Sequence, residues 1–229
     1  MQDRYAIYFV PSADEEYYQR ISQWLGYSIH TGRPVSQTEL SPTLQPFTGF
    51  TRHARMYGCH ATLKPPFRLK PNLKEKQLVK IFKHFSRLFP PIQCSGLQIE
   101  NIGRFVALTL TDECPRLHEL ATDCVQTFDL FRDDLTPAEF NKRQPERLSP
   151  NQLLMLKQWG YPFVIDEFRF HITLSDPLPE SSLAACKKAL IDDLSPIPSR
   201  PFILDSISLC YQPAPSKPFI TLETHPLQG

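Results

Sequence analysis

"YGCHATLKPP", residues 57–66, sets a single histidine, His60, in a short β-prone run with a threonine two positions on. Alone it would mean little, because a strand histidine on a polar face is usually just solvated and threonine is common in strands. The pattern recurs, however, as "HITL" at 171–174, which is 171 − 60 = 111 positions later. With 14 Thr, 28 Leu and 7 His in 229 residues, random mixing gives roughly 0.05 x-Thr-Leu matches after a histidine. Two matches therefore mark a pair.

Successive strand side chains point to opposite faces. In "FRFHITLS" this predicts an apolar face of Phe168, Phe170, Ile172 and Leu174, and a second face of Arg169, His171, Thr173 and Ser175. The first copy divides likewise, with Cys59, Ala61 and Leu63 against His60, Thr62 and Lys64. Each strand is thus expected to present a His, a Thr and a cation together. Two imidazoles that titrate near neutrality can share the work at one phosphodiester, one deprotonating the attacking hydroxyl or water and the other protonating the leaving oxygen. A threonine hydroxyl on the same face would donate to a non-bridging oxygen as charge builds up, and Lys64 and Arg169 would neutralise charge. No carboxylate or third histidine stands in register, so the set is a poor metal site and neither a metal nor another cofactor is expected. Cys59 faces away from His60 and makes a poor nucleophile partner for it.

Working outward, "RYAIYFV" (4–10) reads as a strand, followed by a helix with Ser12 as N-cap and an acidic first turn. Residues 28–56, rich in Pro and Gly, read as a long ordered loop of the kind that carries function. A helix over 73–89, a hairpin of "IQCSGLQIE" and "RFVALTLTD", and a helix over 114–131 come next. Two shorter helices follow, with Thr136 and Ser149 each preceding a proline suited to the first helical position. The second motif strand (166–176), a helix (180–194) and strands at 201–212 and 218–224 complete the chain. Strands and helices mix without βαβ alternation, which predicts an α+β fold with largely antiparallel sheets. There is no G-x-G-x-x-G or Walker pattern.

The net charge of +1, from 25 Lys+Arg and 24 Asp+Glu, excludes the broad basic footprint of a duplex nucleic-acid binder. Anion recognition should be local, and Arg52, Arg55, Arg68 and Lys70 around the first motif are candidates for a second phosphate. The other histidines, His30, His53, His84, His118 and His225, are read as structural or solvated. The six cysteines form no CxxC pair. With no basic-plus-apolar leader and no run of membrane-spanning length, the expectation is a soluble, cytoplasmic monomer with reduced thiols.

The paired H-x-T-L strands, about a hundred residues apart, resemble the signature of the two-histidine phosphoesterase superfamily, which includes RNA 2′,3′-cyclic phosphodiesterases and 2′-5′ RNA ligases. "RYAIYF", "YGCHATLKPPFRL", "LTPAEFNKR" and "WGYPFVIDEFRFHITL" are similar to one branch of it, encoded beside phosphonate-utilisation genes. The resemblance spans nearly the whole chain. It implies a single domain over 1–229 of two pseudo-symmetric lobes, each with an antiparallel sheet and flanking helices, and an active-site cleft between them. It also implies that His60 and His171 are catalytic and that Thr62 and Thr173 bind phosphate. Tyr57, Lys64 and Arg169, in branch-like positions, are inferred to bind substrate. Cys59 departs from the aromatic expected there, a change on the face away from the site.

The function expected is metal-independent hydrolysis of a cyclic phosphate ester on a small phosphorylated ribose or nucleotide-like substrate linked to phosphonate metabolism. Its alternatives are the same chemistry on RNA ends, by a 2′,3′-cyclic phosphodiesterase or 2′-5′ RNA ligase-like enzyme, and a non-catalytic phosphate-ligand sensor. Which histidine is acid and which is base stays open at this level.

Overall fold

The computed structural model describes residues 3–194 and 201–229. β1 (Arg4–Phe9) is buried along nearly its whole length, as a central strand covered on both faces must be. After it come α1 (Glu16–Leu25), a small hairpin of the two-residue strands β2 (Tyr27–Ser28) and β3 (Arg33–Pro34), and β4 (Ala61–Phe67). α2 (Glu75–Phe85), β5 (Ile92–Cys94), β6 (Leu97–Ile102), β7 (Phe105–Leu110) and α3 (Pro115–Asp129) follow. The remainder is α4 (Pro137–Lys142), α5 (Pro150–Trp159), β8 (His171–Thr173), α6 (Glu180–Asp193), β9 (Phe202–Leu204), β10 (Ser206–Gln212) and β11 (Ile220–Pro226).

Seven strands form one sheet in the order β11-β10-β1-β4-β8-β7-β6, and every neighbouring pair is antiparallel. The fold is α+β with antiparallel sheets. The two motif strands lie side by side at the middle of this sheet, joined through the single pair Ala61↔Ile172. Four strands stand on one side of that seam and three on the other, counting β4 and β8 with their own sides. β5 and β9 make a separate small sheet.

The apolar stripes of the helices close over the sheet. α1 contributes Ile21, Trp24 and Leu25, α2 Leu78 and Phe82, and α3 Leu117, Leu120, Cys124 and Phe128, all buried in one core that draws on both sides of the seam. Trp24 ties α1 to the second motif strand by donating its indole N–H to the Leu174 carbonyl at 2.6 Å. α5 is clipped to α3 through a small cluster of Val125, Met155 and Val164. Among the described residues, no helix is long and apolar enough to cross a membrane.

Local chemistry explains where the expected boundaries moved. Thr136 and Ser149 cap α4 and α5 as predicted, each in a reciprocal capping box. Ser12 does not cap α1: that helix begins at Glu16 after Glu15, and the Ser12 carbonyl instead accepts the Glu15 N–H in the preceding turn. The second motif strand shortens to three residues because 165–167 turns as a 3-10 helix just before it. The 201–212 strand divides into β9 and β10, which serve different sheets. The long loop is ordered, with 3-10 turns at Gln45–Thr51 and Ala54–Met56.

Candidate active site

Ala61 and Ile172 point into the core, 1 % and 0 % exposed, so their neighbours face the other way. Continuing the antiparallel register one residue to each side of Ala61↔Ile172 sets His60 opposite Thr173 and Thr62 opposite His171. The four motif residues therefore surround one local twofold, each histidine beside the other strand's threonine at cross-strand distance. All four line a single cavity of about 550 Å³, within the range of small-ligand sites.

The two imidazoles are held alike. His60 Nδ1 lies 3.0 Å from the Gly58 carbonyl and His171 Nδ1 lies 2.8 Å from the Arg169 carbonyl, in each case the carbonyl two residues back. A carbonyl only accepts, so Nδ1 must carry the proton and Nε2 is left as the reactive nitrogen. His60 Nε2 is 3.2 Å from the Thr62 hydroxyl. Gly58 is needed for this arrangement: its φ is +70°, and a Cβ there would stand 2.8 Å from Ile29 Cβ.

Tyr8 packs on His60 with ring centroids 4.0 Å apart, and Tyr57 stacks at 5.9 Å and 22°. Burial under these rings pushes His60 down to about 4, the Gly58 hydrogen bond opposing and the nearby His171 adding to the shift. Burial also lowers His171, opposed by its hydrogen bond to the Arg169 carbonyl and reinforced by the Arg169 charge. Both histidines are thus mainly neutral at pH 7, fit to accept a proton. An anionic substrate between them would raise both again.

Of the expected binding residues, Tyr57 and Arg169 line the cavity and Lys64 does not. On β1, Ile7 and Tyr8 are adjacent, yet their partners are Lys64 and Thr62, so β4 carries one extra residue there. This bulge reverses the alternation: Thr62 shares the face of Tyr8, and Lys64 shares the face of Ile7, away from the site. A second register shift falls at Pro65 and Pro66, which have no N–H to give to a ladder. Lys64 is 1 % exposed and donates to the Val125 carbonyl at 3.0 Å and to Asp129 at 2.8 Å, fastening α3 to β4. Burial lowers its ammonium to about 8 despite the Asp129 carboxylate beside it. Arg132 and Lys64 together hold Asp129 below the usual carboxylate range against its own burial.

The basic stretch around the first motif also turns away. Arg55 bonds the Leu25 carbonyl and Gln37, Arg68 pairs with Asp133 and Glu139, and Lys70 bonds the Leu130 carbonyl. The cavity draws instead on Arg4, Tyr8, Arg143 and Tyr161, and on His53, which sequence reasoning had set aside. His53 is brought in by Asp176, just past the second motif, whose carboxylate accepts the backbone N–H groups of His53 and Ala54 at 2.8 to 3.0 Å. Arg4 and Arg143 were visible inside "RYAIYF" and "LTPAEFNKR", but neither run shows which way they face. Among the described residues, no group of three His, Cys, Asp or Glu side chains is placed to hold a metal ion, and all six cysteines are free.

Residues 62–220 match the family described as "Protein of unknown function (DUF1045)". The chain is 32 % identical over 232 residues to a Janthinobacterium sp. (strain Marseille) protein named ribose 1,5-bisphosphate phosphokinase PhnN, with 99 % of this chain and 51 % of that protein covered. A Laribacter hongkongensis (strain HLHK9) protein of the same name is 29 % identical over 177 residues, covering 77 % of this chain and 41 % of that one. The chain thus spans about half the length, or less, of these curated relatives. Among solved structures, E. coli LigT complexed with 3′-AMP superposes over 100 % of both chains at 14 % identity and a TM-score of 0.47. A structure described as a phosphoesterase superposes over 99 % of both chains at 13 % identity and a TM-score of 0.45.

Proposed function

The chain belongs to the DUF1045 family, and from that premise we propose that it is a two-histidine phosphodiesterase that hydrolyses a cyclic phosphate ester without a metal ion. The observation that carries this reading is the register at Ala61↔Ile172, which gives each histidine the other strand's threonine on one cavity wall. In this reading His60, the more buried ring, takes a proton from water through Nε2 as the water oxygen attacks phosphorus. The ester P–O bond on the far side breaks, and protonated His171 delivers its Nε2 proton to the departing alkoxide. The product is a phosphate monoester beside a free hydroxyl, and the two protons re-equilibrate with solvent. Thr62 and Thr173 donate to the non-bridging oxygens as charge concentrates there.

A phosphorylated ribose is the substrate class we favour, in the setting of phosphonate breakdown. Its support is the name of the two relatives, an enzyme of ribose 1,5-bisphosphate, and the sequence resemblance to the phosphonate-associated branch. The near-neutral net charge favours such a small anion over long RNA.

The test is turnover of adenosine 2′,3′-cyclic phosphate by the purified protein in excess chelator, beside His60→Ala and His171→Ala. The reading expects chelator-resistant hydrolysis that falls by about 10²- to 10⁴-fold in each variant, with folding retained. A p-nitrophenyl phosphodiester, whose leaving group needs no proton, should rescue His171→Ala and not His60→Ala. Turnover abolished by chelation, or kept in both variants, would sink the proposal.

A further inference from the structure

Besides the two histidines and two threonines, the cavity is lined by Arg4, Tyr8, Arg143 and Tyr161. Arg4 and Tyr8 lie on the same face of β1 four residues apart, about 13 Å along the strand. Tyr8 is the cross-strand partner of Thr62, so Arg4 marks the end of the cavity remote from the histidines. The arginine is set in place rather than loose: Gln212, 1 % exposed, accepts its Nε at 2.8 Å and is itself fixed by donating to the Lys217 carbonyl. Arg143 approaches from the end of α4, with its guanidinium 4.7 Å from the centroid of the Tyr161 ring. Among the described residues neither guanidinium forms an ion pair.

The same lining holds an unmet donor. Tyr8 is 0 % exposed and its hydroxyl has no hydrogen-bond partner among the described residues, a condition that costs free energy and calls for an occupant. Burial holds its phenol far above the ordinary range, with Cys210, Tyr57 and Tyr161 adding to the shift and Arg4 opposing it. Arg4, Tyr8, Tyr57 and Tyr161 all line the one cavity. The two non-glycine residues with positive φ among those described, Gln144 and Ile165, fall in the segments that carry Arg143 and Tyr161. Such strain collects where a site fixes its backbone.

We infer that Arg4 and Arg143, with the hydroxyls of Tyr8, Tyr57 and Tyr161, form a second anion subsite that holds a terminal phosphate monoester of the substrate. This rests on the reading of the histidine pair as a cyclic phosphodiesterase. The substrate is then a small sugar carrying two phosphates, one cyclic at the histidines and one monoester at the arginines, with the sugar spanning the gap.

The first measurement compares adenosine 2′,3′-cyclic phosphate with its 5′-phosphorylated form in wild type, Arg4→Gln and Arg143→Gln. The wild type should prefer the 5′-phosphorylated form in kcat/KM by about ten- to hundredfold, and each variant should pull that ratio towards one, chiefly through KM. Equal kcat/KM for both substrates in the wild type overturns the subsite and leaves the phosphodiesterase reading standing. The second measurement is calorimetric binding of ribose 5-phosphate, which needs no turnover. Affinity should weaken in both arginine variants and less in His171→Ala; weakening confined to His171→Ala puts the monoester at the histidines and refutes the subsite. If no cyclic phosphate is hydrolysed but ribose 5-phosphate binding still depends on Arg4 and Arg143, the subsite stands and the catalytic reading falls.

Discussion

The sharpest consequence of the site's burial is a shifted pH profile. An acid–base pair is competent only when the base is neutral and the acid is protonated. His60, pushed down to about 4, is neutral over nearly all of the accessible range. His171, also lowered, carries a proton in only a minority of free enzyme at neutrality. Its ordinary value of 6.5 sets the ceiling, below about a quarter protonated at pH 7. In kcat/KM the rising limb should therefore lie near pH 4 and the falling limb below 6.5, with a loss of about hundredfold between pH 7 and 9. The limbs belong to the pair, so the assay needs a substrate that does not titrate between them. A cyclic diester without a monoester group meets that need, since a monoester has its own pKa near 6. The same depression must appear in stability. The unfolded chain binds the His60 proton more readily than the folded one between about 4 and 6.5, so stability is full above 6.5 and is lost as pH falls towards 4. The shift from 6.5 to about 4 corresponds to about 3 kcal/mol. Urea unfolding from pH 7 to pH 4 should show that loss, and His60→Asn should flatten the slope. A kcat/KM plateau extending to pH 8, or stability that does not fall with acid, would refute the reasoning.

Two further outcomes follow from the geometry. Thr62→Val and Thr173→Val keep the β-branched packing and remove the hydroxyl, so each should lower kcat by about 10²-fold with little change in Tm; a change in KM alone counts against their role on the developing charge. Lys64→Met should lower urea stability by about 1–3 kcal/mol and leave the kinetics close to wild type, because Lys64 fastens α3 and stays out of the cavity; a collapse of kcat in a folded Lys64→Met protein would return it to the site.

What the sequence disclosed was governed by period. The H-x-T pairs were legible because two residues of strand alternation suffice to put His60 with Thr62 and His171 with Thr173, and no bulge intervenes within either motif. β1, α2 and α3 were legible from their apolar spacing, and the caps at Thr136 and Ser149 from their chemistry. The assignment of Lys64 failed one step past Thr62, where the β4 bulge reverses the faces; "KPP" was the warning, since two prolines cannot hold a regular ladder. Arg4, Tyr8, Arg143 and Tyr161 were illegible for another reason. They reach the cavity from segments far apart in the chain, and no local period reports a convergence that depends on sheet order. The position of His53 in the cavity lining was hidden in the same way, since it depends on the contact of its loop with Asp176.

The misplaced lysine also bears on what kind of site this is. Had β4 kept its alternation, the Lys64 ammonium would share the face of Thr62, about 7 Å along the strand and within reach of His171 across it. At an effective dielectric of about 20, two like charges at that distance repel by about 2 kcal/mol. Such a charge would oppose protonation of His171, the histidine proposed as the acid. A simple anion receptor gains from a fixed cation there, whereas an acid–base pair is weakened by it. The bulge sends Lys64 to Asp129 on α3. One fixed cation, Arg169, does line the cavity and works against protonation of His171, so the bulge at Lys64 spares that histidine a second. His171→Ala, with its leaving-group rescue, is then the variant that separates acid–base catalysis from mere retention of phosphate.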